Sequence, residues 1–210
     1  MSIEPTHASL PFSADALQAY LRGRIDGMQG ILEISRFKGG QSNPTFLLET
    51  PTHQYVLRTK PAPVAELLPS AHAIEREYRV QSALAGSDVP VARMFCLCED
   101  EAIIGRAFYV MEHVKGRVLW DQALPESNRS ERAAIYDDFN RVISALHKID
   151  PVAIGLGEYG KHGDYMARQI RRWSKQFDAS RTLPIAAMDR LIDWLPENLP
   201  ADDDGVAIVH

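Results

Sequence analysis

Cysteine, basic charge and long apolar runs are all scarce in this sequence. Its 210 residues include two cysteines, and 23 Lys and Arg stand against 28 Asp and Glu, for a formal net charge of -5. That acidic balance argues against a surface for nucleic acid or for anionic membranes. No apolar run approaches the ~20 residues that a membrane-spanning helix needs. The sequence therefore predicts a cytoplasmic protein without a nucleic-acid or membrane partner.

The two cysteines lie two residues apart in the segment MFCLCED. In a strand, Cys96 and Cys98 would point to the same face. A structural zinc site needs a second pair of ligands, and the sequence offers no pair at a suitable spacing. We interpret both cysteines as reduced thiols that pack in the interior, and we predict no metal site from them.

The first 115 residues are predicted to form an α+β unit. Residues 1–13 lack the basic start and apolar core of a signal peptide and are expected to be a disordered leader. Three consecutive strands followed by a helix favour an antiparallel sheet with a packed helix over repeated βαβ units. The predicted elements are a helix at 14–28 capped by Ser13, strands at 31–37, 45–50 and 55–59, a helix at 71–85 capped by Ser70 and stopped by Gly86, and strands at 92–98 and 107–114.

The composition changes after residue 115, and the rest of the chain is predicted to be mainly helical. We therefore expect an N-terminal lobe at 14–115 and a partial helical lobe at 116–210. The predicted elements are a helix at 131–148, a helix capped by Asp164, a helix at 185–195 with Pro184 in its first turn, and an apolar strand, GVAIVH, after the acidic run at 202–204.

A glycine-containing loop separates the first two strands in the segment FKGGQSNPTFLLET. It is too long for a simple hairpin turn, so either it is an ordinary surface loop or its bare backbone lies against a ligand. Glycine allows backbone N–H groups to approach a polyanion closely. The segment departs from G-x-G-x-x-G, and its polar side chains could supply further donors. The candidate phosphate-binding residues are Gly39, Gly40, Gln41, Ser42 and Asn43.

A cation on the third strand and an acid on the following helix complete the layout of a kinase-type nucleotide lobe. The alternation of YVLRT places Val56, Arg58 and Lys60 on one face. Arg58 lies where the V-A-I-K motif has its lysine, and Lys60 remains the alternative. On the helix, Glu77 lies nearer the apolar stripe than Glu75, so we favour Glu77 as the partner. Alternatively, these are ordinary surface charges.

The segment FYVMEHVKG resembles a strand followed by the linker that receives an adenine ring. In this interpretation the backbone of Glu112 and Val114 would bond to the base, and Met111 would line the pocket. The alternative is an ordinary buried strand with a polar end.

Taken together, FKGGQSNPTF, YVLRTKP and AHAIEREYRV resemble the aminoglycoside phosphotransferase family. FYVMEHVKGRVLW, ISALHKID and RQIRRWSKQF are similar to later landmarks of the branch fused to acyl-CoA dehydrogenases. The resemblance covers roughly residues 14–210. It implies a two-lobed, protein-kinase-like fold and transfer of the γ-phosphate of MgATP to a small-molecule hydroxyl. By position, Arg58 and Glu77 match the nucleotide cation and its carboxylate, Gly39 to Asn43 the phosphate loop, and Met111 to Val114 the hinge.

One family motif is incomplete. The family's catalytic loop is a strand followed by H-G-D and, four residues after the Asp, an Asn; here VAIVH matches only the first letter, at His210. His147 is expected to pack at a helix end, and the acidic run at 202–204 precedes its strand. We therefore assign no catalytic residue, expect the Mg²⁺ ligands beyond His210, and expect the chain to be a fragment that is inactive alone.

Three interpretations remain open at this stage. The chain belongs to an ATP-dependent phosphotransferase acting on a small-molecule hydroxyl; or it is an inactive pseudokinase or nucleotide-binding fragment; or it is an unrelated α+β scaffold. Arginine and lysine are not interchangeable phosphate ligands, which slightly favours the pseudokinase. Neither the acceptor nor the oligomeric state can be predicted from these motifs.

Overall fold

The structure, a computed structural model, describes residues 3–4 (backbone), 10–30, 32–37, 43–61, 73–161, 163–200 and 206–209. The chain divides into two compact units, Met1–Leu146 and His147–His210. The lobes expected at 14–115 and 116–210 stay a prediction, since compactness alone does not define a nucleotide-binding lobe.

The described part of the first unit contains an antiparallel sheet of six strands. All of its strand pairs are antiparallel, as the run of consecutive predicted strands indicated. The strands are β1 (Ile3–Glu4), β2 (Glu33–Phe37), β3 (Thr45–Glu49), β4 (Gln54–Thr59), β5 (Met94–Cys98) and β6 (Phe108–Glu112), in the spatial order β1-β2-β3-β4-β6-β5.

The short edge strand β1 lies in the segment that we expected to be a disordered leader. The leader at 1–13 stays a prediction, and the described residues within it make the following contacts. Ile3 pairs with Phe37 of β2, and Phe12 packs edge-on against Phe46 with ring centroids 5.1 Å apart. The guanidinium of Arg106 also donates to the carbonyl of Pro11 over 3.1 Å. Sheet pairing therefore involves residues 3–4, and core packing involves Phe12.

Five helices complete the described elements. In chain order they are α1 (Ala14–Leu21), α2 (Ile74–Ala83), α3 (Arg129–His147), α4 (Tyr165–Ser180) and α5 (Ala186–Glu197). Helices α4 and α5 pack against each other in the second unit. No helix in the described ranges is long and apolar enough to cross a membrane.

Helix α1 is shorter than the predicted 14–28. Ser13 caps it as expected, accepting a hydrogen bond from the N–H of Ala16. The helix ends at Leu21 because Gly23 and Gly27 both have φ of +80°, a left-handed conformation that no helix continues through. Further along, the chain still buries Ile25 and Met28. The apolar spacing was therefore a sound guide to burial but not to helix length.

Helix α2 begins later than predicted within the described residues. Its first helical residue is Ile74, and its N-cap Ala73 makes no side-chain capping bond. Ser70, the predicted cap, lies outside the described residues. Gly86, with φ of +81°, follows the end of the helix as predicted.

The two faces of the sheet bury different clusters. Helix α1 covers one face, and α2 packs on β5 and β6 at the other. Both cysteines carry free thiols and pack on the α1 face, where burial, and then the neighbouring Cys98, raises the pKa of the Cys96 thiol to about 11. Because residues alternate along β4, Tyr55 and Leu57 face α1 while Val56 and Arg58 face the other side.

Two expectations for the second unit need correction. Asp164 occupies the N-cap position of α4, but it is left-handed, with φ of 48°, and its side chain makes no capping hydrogen bond. The expected strand GVAIVH does not form over 206–209, its described part. A strand needs a neighbour to bond with, and pairing cannot be read from an apolar run alone.

Candidate functional site

An ion pair joins β4, which is the third strand of the predicted nucleotide lobe, to α2, the helix that follows it. Arg58 Nε of β4 lies 2.8 Å from Glu77 Oε2 of α2, and Arg58 Nη2 donates to Glu77 Oε1 over 3.4 Å. Both side chains are partly exposed, at 29% and 34%. The predicted partnership between these two residues is therefore present in the structure.

Two further donors converge on the same carboxylate. Asn43 Nδ2 donates to Glu77 Oε1 over 2.9 Å, and the Tyr109 hydroxyl donates to Glu77 Oε2 over 3.0 Å. Asn43 precedes β3, and Tyr109 lies directly opposite Arg58 on the neighbouring strand. Glu77 thus accepts from three separate elements, which fixes its orientation more firmly than one ion pair would.

The hydroxyl of Tyr109 is a dependable donor. Burial raises its pKa above the ordinary value, and the negative charge of Glu77 raises it further, while Arg58 opposes them. The phenol therefore stays protonated at neutral pH. Tyr109 was not among the predicted site residues. Tyr109 lies two residues before Met111 in FYVME, and this spacing indicates that both side chains lie on the same face of the strand. Tyr109 could be chosen as a site residue only once the register of β6 against β4 was known.

The alternative cation, Lys60, belongs to a separate pair. Lys60 Nζ lies 3.2 Å from Glu75 Oε2, and both side chains are about one-third exposed. The structure therefore resolves the two candidate partnerships into Arg58 with Glu77 and Lys60 with Glu75. Among the described contacts, only the first is joined by Asn43 and Tyr109.

Met111, the first residue of the predicted hinge, packs on an apolar cluster that lies on the same sheet face as Arg58. Met111 packs against a cluster of Phe37, Leu47 and Val56 and lies directly opposite Val56. Glu112 donates its backbone N–H to the carbonyl of Arg93 over 2.8 Å.

The hydrogen bond to Arg93 bears on the predicted role of Glu112, whose backbone was expected to bond to an adenine base. The N–H of Glu112 is engaged by Arg93 in the structure and is not available to a base. The side chain of Val114 is 64% exposed, so it lines no packed surface in the described part of the chain.

Part of the predicted site lies outside the described residues, namely Gly39, Gly40, Gln41 and Ser42 of the glycine loop. Asn43, the last residue of that candidate loop, is described, and its amide is directed at Glu77. Within the described ranges, no three His, Cys, Asp or Glu side chains come together as a metal site. We assign no Mg²⁺ ligand to these residues.

A model of the phosphotransferase enzyme family matches residues 33–210. The chain belongs to this family and has its α+β, protein-kinase-like fold.

Similar proteins within and beyond this family are known. A crystal structure from Ralstonia eutropha, described as an aminoglycoside phosphotransferase, is 56% identical with a TM-score of 0.77, over 92% of this chain and 55% of that one. Mouse acyl-CoA dehydrogenase family member 10 is 45% identical over 197 residues, 93% of this chain. A streptomycin–ATP complex of APH(2")-IIa, 14% identical with a TM-score of 0.52, covers 84% of this chain and 56% of that one and shares the fold.

The coverage of these relatives is partial. This chain spans 18% of the length of the mouse protein and about half of the Ralstonia chain. The similarity to the mouse protein therefore concerns the kinase-like domain that it carries.

Proposed function

We propose that this chain is the nucleotide-binding part of an ATP-dependent phosphotransferase that transfers the γ-phosphate to a hydroxyl group of a small molecule. The observation that carries the proposal is the Arg58–Glu77 pair, held on the sheet face that α2 covers. Membership of the phosphotransferase enzyme family supports it.

The guanidinium of Arg58 suits a phosphate group. It has five N–H donors in a fixed fork. Nε and Nη2 face Glu77, and Nη1 donates to Thr45 Oγ1 over a long 3.4 Å. A second N–H on each Nη nitrogen can still meet an anion, and the side chain is 29% exposed. Glu77 then acts as the carboxylate that holds the cation in place.

The neighbouring surface suits a nucleoside base. Val56 and Arg58 are two residues apart on one face of β4, so their Cα atoms are separated by about 7 Å along the strand. The apolar cluster that includes Val56 and Met111 therefore lies beside the cation. In this proposal the backbone at the end of β6, near Glu112, would bond to the base. An apolar surface beside a cation suits a nucleotide, which has an apolar base face and anionic phosphates.

Residues of this chain would contribute binding and charge neutralisation rather than covalent chemistry. ATP supplies the transferable phosphoryl group when it is bound. In phosphoryl transfer most of the catalysis comes from positioning and electrostatic stabilisation. Arg58 would offset phosphate charge, and the backbone of Gly39 to Ser42 would approach the phosphates closely. No catalytic base or Mg²⁺ ligand is assigned to the described residues, and the acceptor's identity beyond its hydroxyl group is left open.

Titration calorimetry with ATP tests the nucleotide role. Wild-type chain should bind ATP, and Arg58→Ala should weaken binding by about tenfold or more, as expected when a charge-assisted hydrogen bond is lost. The matched control is Arg22→Ala, which removes an exposed arginine at the end of α1, on the opposite side of the sheet. Equal affinities for wild type and Arg58→Ala would overturn the assignment of the cation.

A transfer assay on the full-length protein separates the enzyme from a nucleotide-binding module. ADP release is measured with a panel of aminoglycosides, sugars, amino alcohols and hydroxyacyl thioesters. ADP release that depends on one of these compounds supports the phosphotransferase. Tight ATP binding without acceptor-dependent release supports the pseudokinase alternative instead.

A further inference from the structure

Asn43 is a buried polar side chain that lies at the end of the candidate glycine loop. It is 2% exposed, and its amide donates to Glu77 Oε1 over 2.9 Å, across 34 residues of sequence. A buried amide needs hydrogen-bond partners, because leaving one unsatisfied costs about 1–3 kcal/mol. Asn43 is therefore held in place by the carboxylate that also holds Arg58.

The backbone of Asn43 connects to the same pair by a second route. Its carbonyl accepts from Thr45 Oγ1 over 3.1 Å, and that same Oγ1 accepts from Arg58 Nη1 over 3.4 Å. One residue thus contacts the carboxylate through its side chain and the cation through Thr45. Its two connections lead to two different elements, α2 and β4.

We infer that Asn43 is a positioning residue that ties the end of the glycine loop to α2 through Glu77. The residue that ends the candidate loop and the candidate phosphate-binding cation are then held by one carboxylate. A shift of α2 would move Glu77 and, with it, both Arg58 and the base of the loop. This inference rests on the proposed nucleotide role for its consequence in binding, but not for the coupling itself.

The chemistry explains why asparagine suits this position. Glu77 Oε1 accepts a hydrogen bond from this position, and a second carboxylate there would instead repel it at hydrogen-bond distance. Aspartate has nearly the same shape but cannot donate when ionised. The charged and titratable groups that face this point are Glu77 from α2, Arg58 from β4 and Tyr109 from β6. The Lys60–Glu75 pair lies nearby, with Lys60 directly after β4 and Glu75 on α2.

Asn43→Asp converts the coupling into a pH-dependent one. Two adjacent carboxylates raise the pKa of one of them and share a proton. At pH 8.5 the variant should have two repelling charges and a lower melting temperature than wild type. As the pH falls towards 6, the protonated group donates again, and the deficit should shrink. Asn43→Ala cannot regain a donor, so its deficit should remain constant with pH.

Melting temperature and ATP affinity of both variants are measured from pH 6 to 8.5 in the full chain. Asn140→Asp, the same substitution at an exposed position on α3, is the matched control and should follow wild type throughout. We expect Asn43→Asp to bind ATP about tenfold more weakly than wild type at pH 8.5 and to recover at pH 6. Comparison with wild type at each pH removes the titration of the nucleotide itself.

The two readouts separate the inference from the proposed function. A melting deficit of Asn43→Asp that is the same at every pH, or absent, would overturn the coupling, whatever the ATP result. If wild type binds no ATP while the melting deficit of Asn43→Asp still shrinks at low pH, the proposed function fails and the coupling stands. If wild type binds ATP and both variants match it at all pH values, the positioning role is wrong.

Discussion

Tyr109 and Arg58 lie directly opposite each other on β6 and β4, and both side chains reach the carboxylate of Glu77. A cross-strand pair thus shares one acceptor that a helix supplies. The arrangement makes the carboxylate the common point of the sheet, the helix and the residue that ends the glycine loop. Changes at this one group should therefore be felt in both stability and binding.

Glu77→Gln should lower the free energy of unfolding by about 1–2 kcal/mol, because three donors lose a charged acceptor and one amide now faces Arg58. Glu75→Gln, on the same helix, removes a carboxylate whose described contact is a pair with Lys60 in which both side chains are about one-third exposed, and should cost less than about 0.5 kcal/mol. Urea denaturation of the two variants measures the difference. Equal losses would show that the convergence on Glu77 adds no stability.

Tyr109→Phe should change how stability depends on alkaline pH. The folded pKa of Tyr109 is raised, chiefly by burial and then by Glu77, so the folded state holds its proton while the unfolded chain releases it above pH ~10. The contribution of Tyr109 to the free energy of unfolding is therefore fully present below pH ~10 and is lost as the pH rises further.

The measurement is the urea midpoint from pH 8.5 to 11. Tyr109→Phe should begin about 1 kcal/mol less stable than wild type, through the lost hydrogen bond, and should then lose less as the pH rises. Tyr165→Phe, at a 60% exposed position, is the control and should parallel wild type. Parallel curves for Tyr109→Phe and wild type would contradict the role of burial.

Gly27→Ala should destabilise the segment that follows α1. Gly27 has φ of +80°, and an added Cβ would overlap the imidazole of His53. Gly23→Ala has the same φ and open space, so it isolates backbone strain at about 1 kcal/mol. Gly116→Ala, with open space and no such φ, should be close to neutral. Thermal melts should show the largest fall in melting temperature for Gly27→Ala. A larger fall for Gly23→Ala than for Gly27→Ala would contradict the clash with His53.

Local pattern, together with the kinase-type layout of strands and helix, predicted the Arg58–Glu77 partnership. Alternation along YVLRT and the apolar stripe of α2 each orient one side chain, and both patterns are short-range. The 14–28 helix was wrong because its apolar spacing persists through Gly23 and Gly27, where the backbone turns. The same spacing still identified residues that are buried, although they are not helical.

Contacts that depend on strand register could not be predicted in the same way. The hydrogen bond from Asn43 to Glu77 spans 34 residues, and neither residue's local pattern points to the other. Tyr109 meets Glu77 because β6 pairs beside β4, an order that strand propensity does not encode. The short strand β1 is stabilised by its neighbour β2 and has no distinctive pattern of its own.

The adjacency of β4 and β6 has a consequence for how the protein folds. Strands β2, β3 and β4 follow one another as hairpins, whereas Arg58 meets Tyr109 across roughly 50 residues, so closing this contact carries a larger loss of chain entropy. We expect the hairpins to form early and the β4–β6 seam to form late, with φ values near zero for Tyr109→Phe in stopped-flow refolding. The Arg58–Tyr109 contact on Glu77 would then form only in the final stage of assembly, so newly made chains would pass through a partly built sheet that lacks the proposed nucleotide site.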